Sequence, residues 1–137
     1  MPLFYLDASA LVKLVRRESE TAALTRFLAD GDVVSTELVV AELPRAIRRA
    51  GAQDRRLPTG ALIERTGDLL DAIALRPLDR ALLLAAGALD EWTLRALDAV
   101  HIATALDVFP HDGFVSYDER QSAAARLAGL RTYAPSG

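Results

Sequence analysis

Four acids stand where apolar side chains would be expected. Asp7 follows the run Leu3-Phe4-Tyr5-Leu6, and Glu42 interrupts Leu38-Val39-Val40-Ala41-Leu43. Asp98 lies within Leu94-Arg95-Ala96-Leu97-Asp98-Ala99-Val100-His101-Ile102, and Asp118 follows Gly113-Phe114-Val115-Ser116. A carboxylate in such a setting is costly unless it is paired, capped or bound to a cation. If the four converge, their mutual repulsion calls for a divalent metal. A site of oxygen ligands alone points to magnesium- or manganese-assisted phosphate chemistry. Ser9, two residues after Asp7, and Ser116, two before Asp118, set hydroxyls beside two of the acids. Such hydroxyls orient carboxylates or bound water.

Each acid also has a plainer reading. Asp7 could cap a helix starting at Ala8, and Asp118 with Gln121 has capping-box spacing. Glu42 could pair with Arg45 or Arg49, and Asp98 with Arg95. His101 sits three residues after Asp98, on the same helical face, and reads as a hydrogen-bonded, half-buried residue behind the acids. His111, beside Pro110 in a turn, reads as exposed, and Lys13 as lying on a helix's outer face. It is the conjunction that favours a site, because two of the acids occupy equivalent strand-to-helix edges.

The elements that must position these residues alternate between strand length and helix length. Strands are expected at 3–6, 33–35, 73–76, 114–116 and 131–133. Helices are expected at 8–17, 20–29, 60–70, about 80–89, 95–107 and 119–128, with Asp79 capping the fourth of these. A further helix, capped by Thr36, is expected to run to about Arg49 and stop at Gly51. This alternation predicts an α/β fold with a parallel sheet between helical layers. In such sheets ligands bind beyond the carboxyl ends of the strands, which is where Asp7 and Asp118 fall.

Composition narrows the class. A chain of 137 residues fits one domain, and 51% hydrophobic content is enough for a core. No apolar run approaches the roughly 20 residues needed to span a bilayer, and Met1 to Asp7 reads as a first strand rather than a signal peptide. The absence of cysteine excludes disulfides, thiolate metal sites and cysteine nucleophiles, and suits a reducing cytoplasm. A net charge of −3 argues against binding nucleic acid over a broad surface. Yet Arg45, Arg48, Arg49, Arg55 and Arg56 cluster in one stretch, and Arg suits phosphate recognition. A solvated helix end explains the same cluster.

At this point the residues resemble a family. Leu6-Asp7-Ala8-Ser9-Ala10-Leu11, Val40-Ala41-Glu42-Leu43, Leu97-Asp98-Ala99-Val100-His101-Ile102 and Phe114-Val115-Ser116-Tyr117-Asp118, in this order and spacing, are similar to the PIN-domain ribonucleases. Within that family they resemble the VapC-type toxins of prokaryotic toxin–antitoxin modules. The resemblance implies a PIN-like three-layer sandwich, with a central parallel sheet of about five strands and residues 1–137 forming a single PIN domain. By position, Asp7, Glu42, Asp98 and Asp118 become the catalytic and metal-holding quartet for Mg²⁺ or Mn²⁺, with Ser9 and Ser116 in support. The expected reaction is endonucleolytic hydrolysis of RNA, with Arg45, Arg48 and Arg49 as candidate contacts to its backbone. The expected partners are a cognate VapB-type antitoxin and a second copy of the chain, with apolar interface available around Leu69-Leu70 and Leu82-Leu83-Leu84. The expected location is cytoplasmic, with no membrane association.

Other readings fit less well. An aspartyl-phosphate phosphatase wants a second Asp where Ser9 stands, and a receiver domain wants paired acids and a late Lys, whereas Lys13 is the only lysine. A dinucleotide-binding domain needs a glycine-rich first turn, which Asp7-Ala8-Ser9-Ala10 lacks. A non-toxin PIN nuclease of RNA processing and a silent α/β binding module stay open.

Overall fold

The computed structural model describes all residues from Met1 to Gly137. Five strands form one sheet in the order β3-β2-β1-β4-β5, and every neighbouring pair is parallel. They are β1 (Leu3–Leu6), β2 (Asp32–Thr36), β3 (Ala74–Arg76), β4 (Gly113–Val115) and β5 (Thr132–Tyr133). The helices are α1 (Ala8–Val15), α2 (Thr21–Leu28), α3 (Val39–Gln53), α4 (Thr59–Ala72), α5 (Arg80–Gly87), α6 (Ala96–Asp107) and α7 (Glu119–Leu127).

Strand periodicity sorts the core. Successive β1 side chains point to opposite faces. Phe4 and Leu6 therefore pack with Leu11, Leu24 and Leu43 of α1, α2 and α3. Tyr5 packs with Phe114 of β4 and with Ile102, Ala105, Ala124 and Ala125 of α6 and α7. Both faces of β1 are covered, which is why its sequence is uninterrupted apolar rather than alternating. The outcome is the expected three-layer α/β sandwich.

Several expectations are corrected at element ends. Helix α3 does not stop at Gly51 but continues to Gln53. Glycine is needed there for a different reason: a Cβ on Gly51 would lie 2.3 Å from Thr59 Oγ1, at the start of α4. Thr36 is the last residue of β2 rather than the cap of α3, although its hydroxyl accepts from the Leu38 N–H at 3.3 Å. Asp79 caps α5 as expected, accepting from the Leu82 N–H at 2.8 Å.

The order of strands fixes where a site can form. From central β1 the chain steps outward to β2 and β3, then returns to the other side of β1 for β4 and β5. The direction reverses between β1 and β4, so the crevice of the sheet opens at their carboxyl ends. Leu6 is in register with Val115, and the Asp7 N–H donates to the Val115 carbonyl at 3.2 Å. The residues just beyond, Asp7 and Ser116, thereby become neighbours.

Candidate active site at the carboxyl edge of the sheet

Asp7 leaves β1 in an extended conformation and caps α1. Its Oδ1 accepts from Ser9 Oγ at 2.6 Å and from the Ala10 N–H at 3.2 Å, and its Oδ2 accepts from Ser116 Oγ at 2.5 Å. Of the roughly four acceptor positions of a carboxylate, these bonds leave one, on Oδ2. Ser9 Oγ also accepts from the Tyr117 N–H at 2.9 Å, and Ser116 Oγ from the Asp118 N–H at 3.0 Å. The two hydroxyls thus stitch the end of β1 to the end of β4. Asp7 is only 3% exposed. Burial raises its pKa above the usual carboxylate range, and the neighbouring His101, the Ser116 and Ser9 hydroxyls and the Ala10 N–H partly offset that rise.

Glu42 lies in the first turn of α3, half-buried, and pairs with neither Arg45 nor Arg49. Its partner is His101 of α6, whose Nε2 stands 2.7 Å from Glu42 Oε1. The other ring nitrogen, Nδ1, is 2.9 Å from the Tyr5 hydroxyl. His101 is 2% exposed, buried rather than half-buried as its sequence setting suggests.

Asp98 occupies the first turn of α6, behind Arg95 at the N-cap. Burial raises its pKa most and repulsion from Asp118 adds to the rise; His101 offsets part of it, Glu42 adds a smaller rise and Arg95 a smaller relief. Asp118 is exposed and caps α7, its Oδ1 accepting from the Arg120 N–H at 2.9 Å and the Gln121 N–H at 3.2 Å. Its Oδ2 makes no bond within the protein. All four acids therefore stand at helix starts, where the positive end of the helix dipole favours a carboxylate.

A groove of about 540 Å³ opens along this edge, lined by Ala8 of α1, Glu42, Arg45 and Arg49 of α3, and Leu97 of α6. Arg45 and Arg49, one helical turn apart, face the groove with Glu42, and Arg48 is not among its lining residues. The groove is thus lined by one acid of the quartet and two arginines.

The donor set tests whether a cation belongs here. It is carboxylate and hydroxyl oxygen, with acceptor positions unspent on Asp7 Oδ2, Glu42 Oε2 and Asp118 Oδ2. Repulsion between Asp98, Asp118 and Glu42 is a second sign, since a hard divalent ion would relieve it. As the side chains stand, no three acidic or imidazole groups close into one coordination sphere. The chemistry of the donors fits a hard divalent cation.

Two other residues depart from expectation. Lys13 is buried, not outward: its Nζ reaches Glu20 at 3.0 Å and Glu18 at 3.4 Å, and lies 4.8 Å from the centre of the Tyr117 ring. The turn after α1 and the Tyr117 ring cover the face that the sequence leaves open. His111 is half-buried, with Nε2 on the Ala105 carbonyl at 3.0 Å. The residue that sequence reasoning missed is Tyr5. Its signal was available: a tyrosine in a strand buried on both faces must find a partner for its hydroxyl.

The fold and this edge define a class. The PIN domain family model matches residues 4–127, and the chain belongs to the PIN-domain family. Within that family it is similar to the VapC ribonucleases. It is 38% identical to ribonuclease VapC46 of Mycobacterium tuberculosis, across 99% of this chain and 100% of that protein. It is 32% identical to ribonuclease VapC47 of the same species, across 97% of each. Among solved structures, Mycobacterium tuberculosis VapC20, a sarcin–ricin-loop-cleaving toxin, aligns with TM-score 0.67 and 18% identity, covering 88% of this chain and 94% of that one. VapBC2 of Rickettsia felis, bound to a DNA fragment from its promoter, aligns with TM-score 0.67 and 12% identity, over 96% and 97%. At these identities the solved structures speak for the fold.

Proposed function

We propose that this chain is an endoribonuclease that hydrolyses RNA phosphodiester bonds as the toxin of a type II toxin–antitoxin module. The observation that carries the reading is full-length similarity to VapC ribonucleases in a chain whose acids Asp7, Glu42, Asp98 and Asp118 all stand at helix starts. The whole of 1–137 acts as one PIN domain in this reading, in the cytoplasm. Its partners are a cognate VapB-type antitoxin that covers the groove and a second copy of the chain. Leu83 and Leu84 on α5 are 49% and 62% exposed, and so are available to such a dimer, whereas Leu82 is core.

Asp7 Oδ2, Glu42 Oε2, Asp98 and Asp118 Oδ2 would hold Mg²⁺ or Mn²⁺. When bound, the cation supplies a lowered pKa for attacking water and charge to offset the phosphate. The chain's residues do the rest. Ser9 and Ser116 fix the plane of the Asp7 carboxylate, so that its one free acceptor position faces the cleft. Arg45 and Arg49 draw the RNA backbone along the groove, against the repulsion of the acids.

Purified protein should cleave RNA with added Mg²⁺ or Mn²⁺ and stop with chelator. Asp7→Asn and Asp98→Asn should each lose more than about 100-fold, beyond the ~10–100-fold typical for groups that only orient a metal ligand. Ser116→Ala should fall inside that smaller range. Cleavage by both Asn variants at the wild-type rate would overturn the assignment.

A further inference from the structure

We propose that Tyr5 and His101 form a positioning pair that fixes one oxygen of Glu42 and presents the other to the cation site. The inference rests on the metal-dependent reading above and deepens it. Nothing in that reading requires a histidine or a tyrosine. The geometry nevertheless links three elements in one line: the Tyr5 hydroxyl of β1, 2.9 Å from His101 Nδ1 of α6, and His101 Nε2, 2.7 Å from Glu42 Oε1 of α3.

The chemistry of the partners orders the hydrogens. An ionised carboxylate only accepts, so Nε2 must donate to Glu42. With Nε2 engaged by Glu42, Nδ1 is left to pair with the Tyr5 hydroxyl. The tyrosine is fully buried, so its hydroxyl is held in place against Nδ1. Its ring stacks on Phe114 at 5.2 Å with 13° between planes, and meets the His101 ring edge-on at 6.0 Å. A turned imidazole would give up the Tyr5 hydroxyl on one side and the Glu42 carboxylate on the other. Glu42, on a half-exposed helical turn, inherits its orientation from the sheet. Its Oε1 is spent on His101 and its Oε2 is left for the ion. His101 acts through Glu42 and touches neither ion nor substrate.

The test is Mn²⁺ binding, followed by electron paramagnetic resonance of the free ion, with no RNA present. Variants are His101→Leu, His101→Gln, Tyr5→Phe and Glu42→Gln, each checked for folding by circular dichroism. His101→Leu should weaken Mn²⁺ about 10–100-fold, the range for partners that orient a metal ligand. His101→Gln, whose amide can still donate to Glu42, should recover most of that loss, which a purely space-filling role would not predict. Tyr5→Phe should cost less than His101→Leu. Adding Glu42→Gln to His101→Leu should cost less than Glu42→Gln costs alone in the wild-type background, because the pair acts as a unit. If wild type binds Mn²⁺ and Asp7→Asn does not, while His101→Leu and His101→Gln both bind as wild type does, the positioning pair is overturned and the metal site stands. If wild type does not bind Mn²⁺, the metal reading falls and the pair falls with it.

Discussion

Asp7 is held by three hydrogen bonds and yet is a poor place for a charge, because burial outweighs them. Its pKa is higher in the folded chain than the ordinary 3.8. The native state therefore binds this proton more tightly than the unfolded state does. The stability contributed by protonated Asp7 is complete at low pH and is lost as pH rises from the ordinary value through the raised one. Metal-free Asp7→Asn should then be more stable than wild type at neutral pH, and the gap should close as pH falls into the carboxylate range. Urea midpoints measured in chelator across that range give the result directly. Parallel curves for the two proteins would show that burial at Asp7 is fully offset. Capping a helix does not use up such a carboxylate. Asp7 and Asp118 each cap a helix and still keep an acceptor position that no protein group fills.

At the scale of elements, β1 and β4 matter most, because the reversal of strand order between them creates the crevice. The short β4 depends on a close approach from the edge strand: a Cβ on Gly113 would lie 2.3 Å from the Tyr133 ring of β5. Gly113→Ala should destabilise the protein by about 1–3 kcal/mol, the usual cost of overpacking, less the few tenths that alanine gains through the unfolded chain. Thermal or urea unfolding checks it, and an unchanged midpoint would mean that β5 yields without cost. Strands and helices were legible because hydrophobic period and length separate them, and only their ends shifted. Helix α3 outran its glycine because Gly51 answers to a neighbouring helix, which no local pattern encodes. The burial of Lys13 and the contact between Glu42 and His101, 59 positions apart, were illegible for the same reason: they are set by which helix lands on which face. What could be read was that Asp7 and Asp118 follow strands. What could not be read was the core tyrosine behind Glu42.

For the whole molecule, the decisive quantity is where charge lies rather than how much there is. The net charge of −3 hides a groove with Arg45 and Arg49 on one wall. RNA binding, measured in an Asp98→Asn background so that the RNA survives, should weaken with salt. Arg45→Ala and Arg49→Ala should each lower the salt slope by about 1, as expected for the loss of one phosphate contact. Arg48→Ala, outside the groove, should leave the slope unchanged. A slope that responds to Arg48 and ignores the other two would move the footprint to another face.

The bond between Ser116 and Asp7 joins positions 109 apart. A chain emerging from a ribosome presents β1 and its β2 partner early, and its other partner, β4, only near the end of synthesis. Until then the crevice has one wall, and Asp7 lacks the hydroxyl that orients it. The order of synthesis therefore leaves the Asp7 carboxylate without one of its two hydroxyl partners until the carboxyl-terminal strands have joined the sheet.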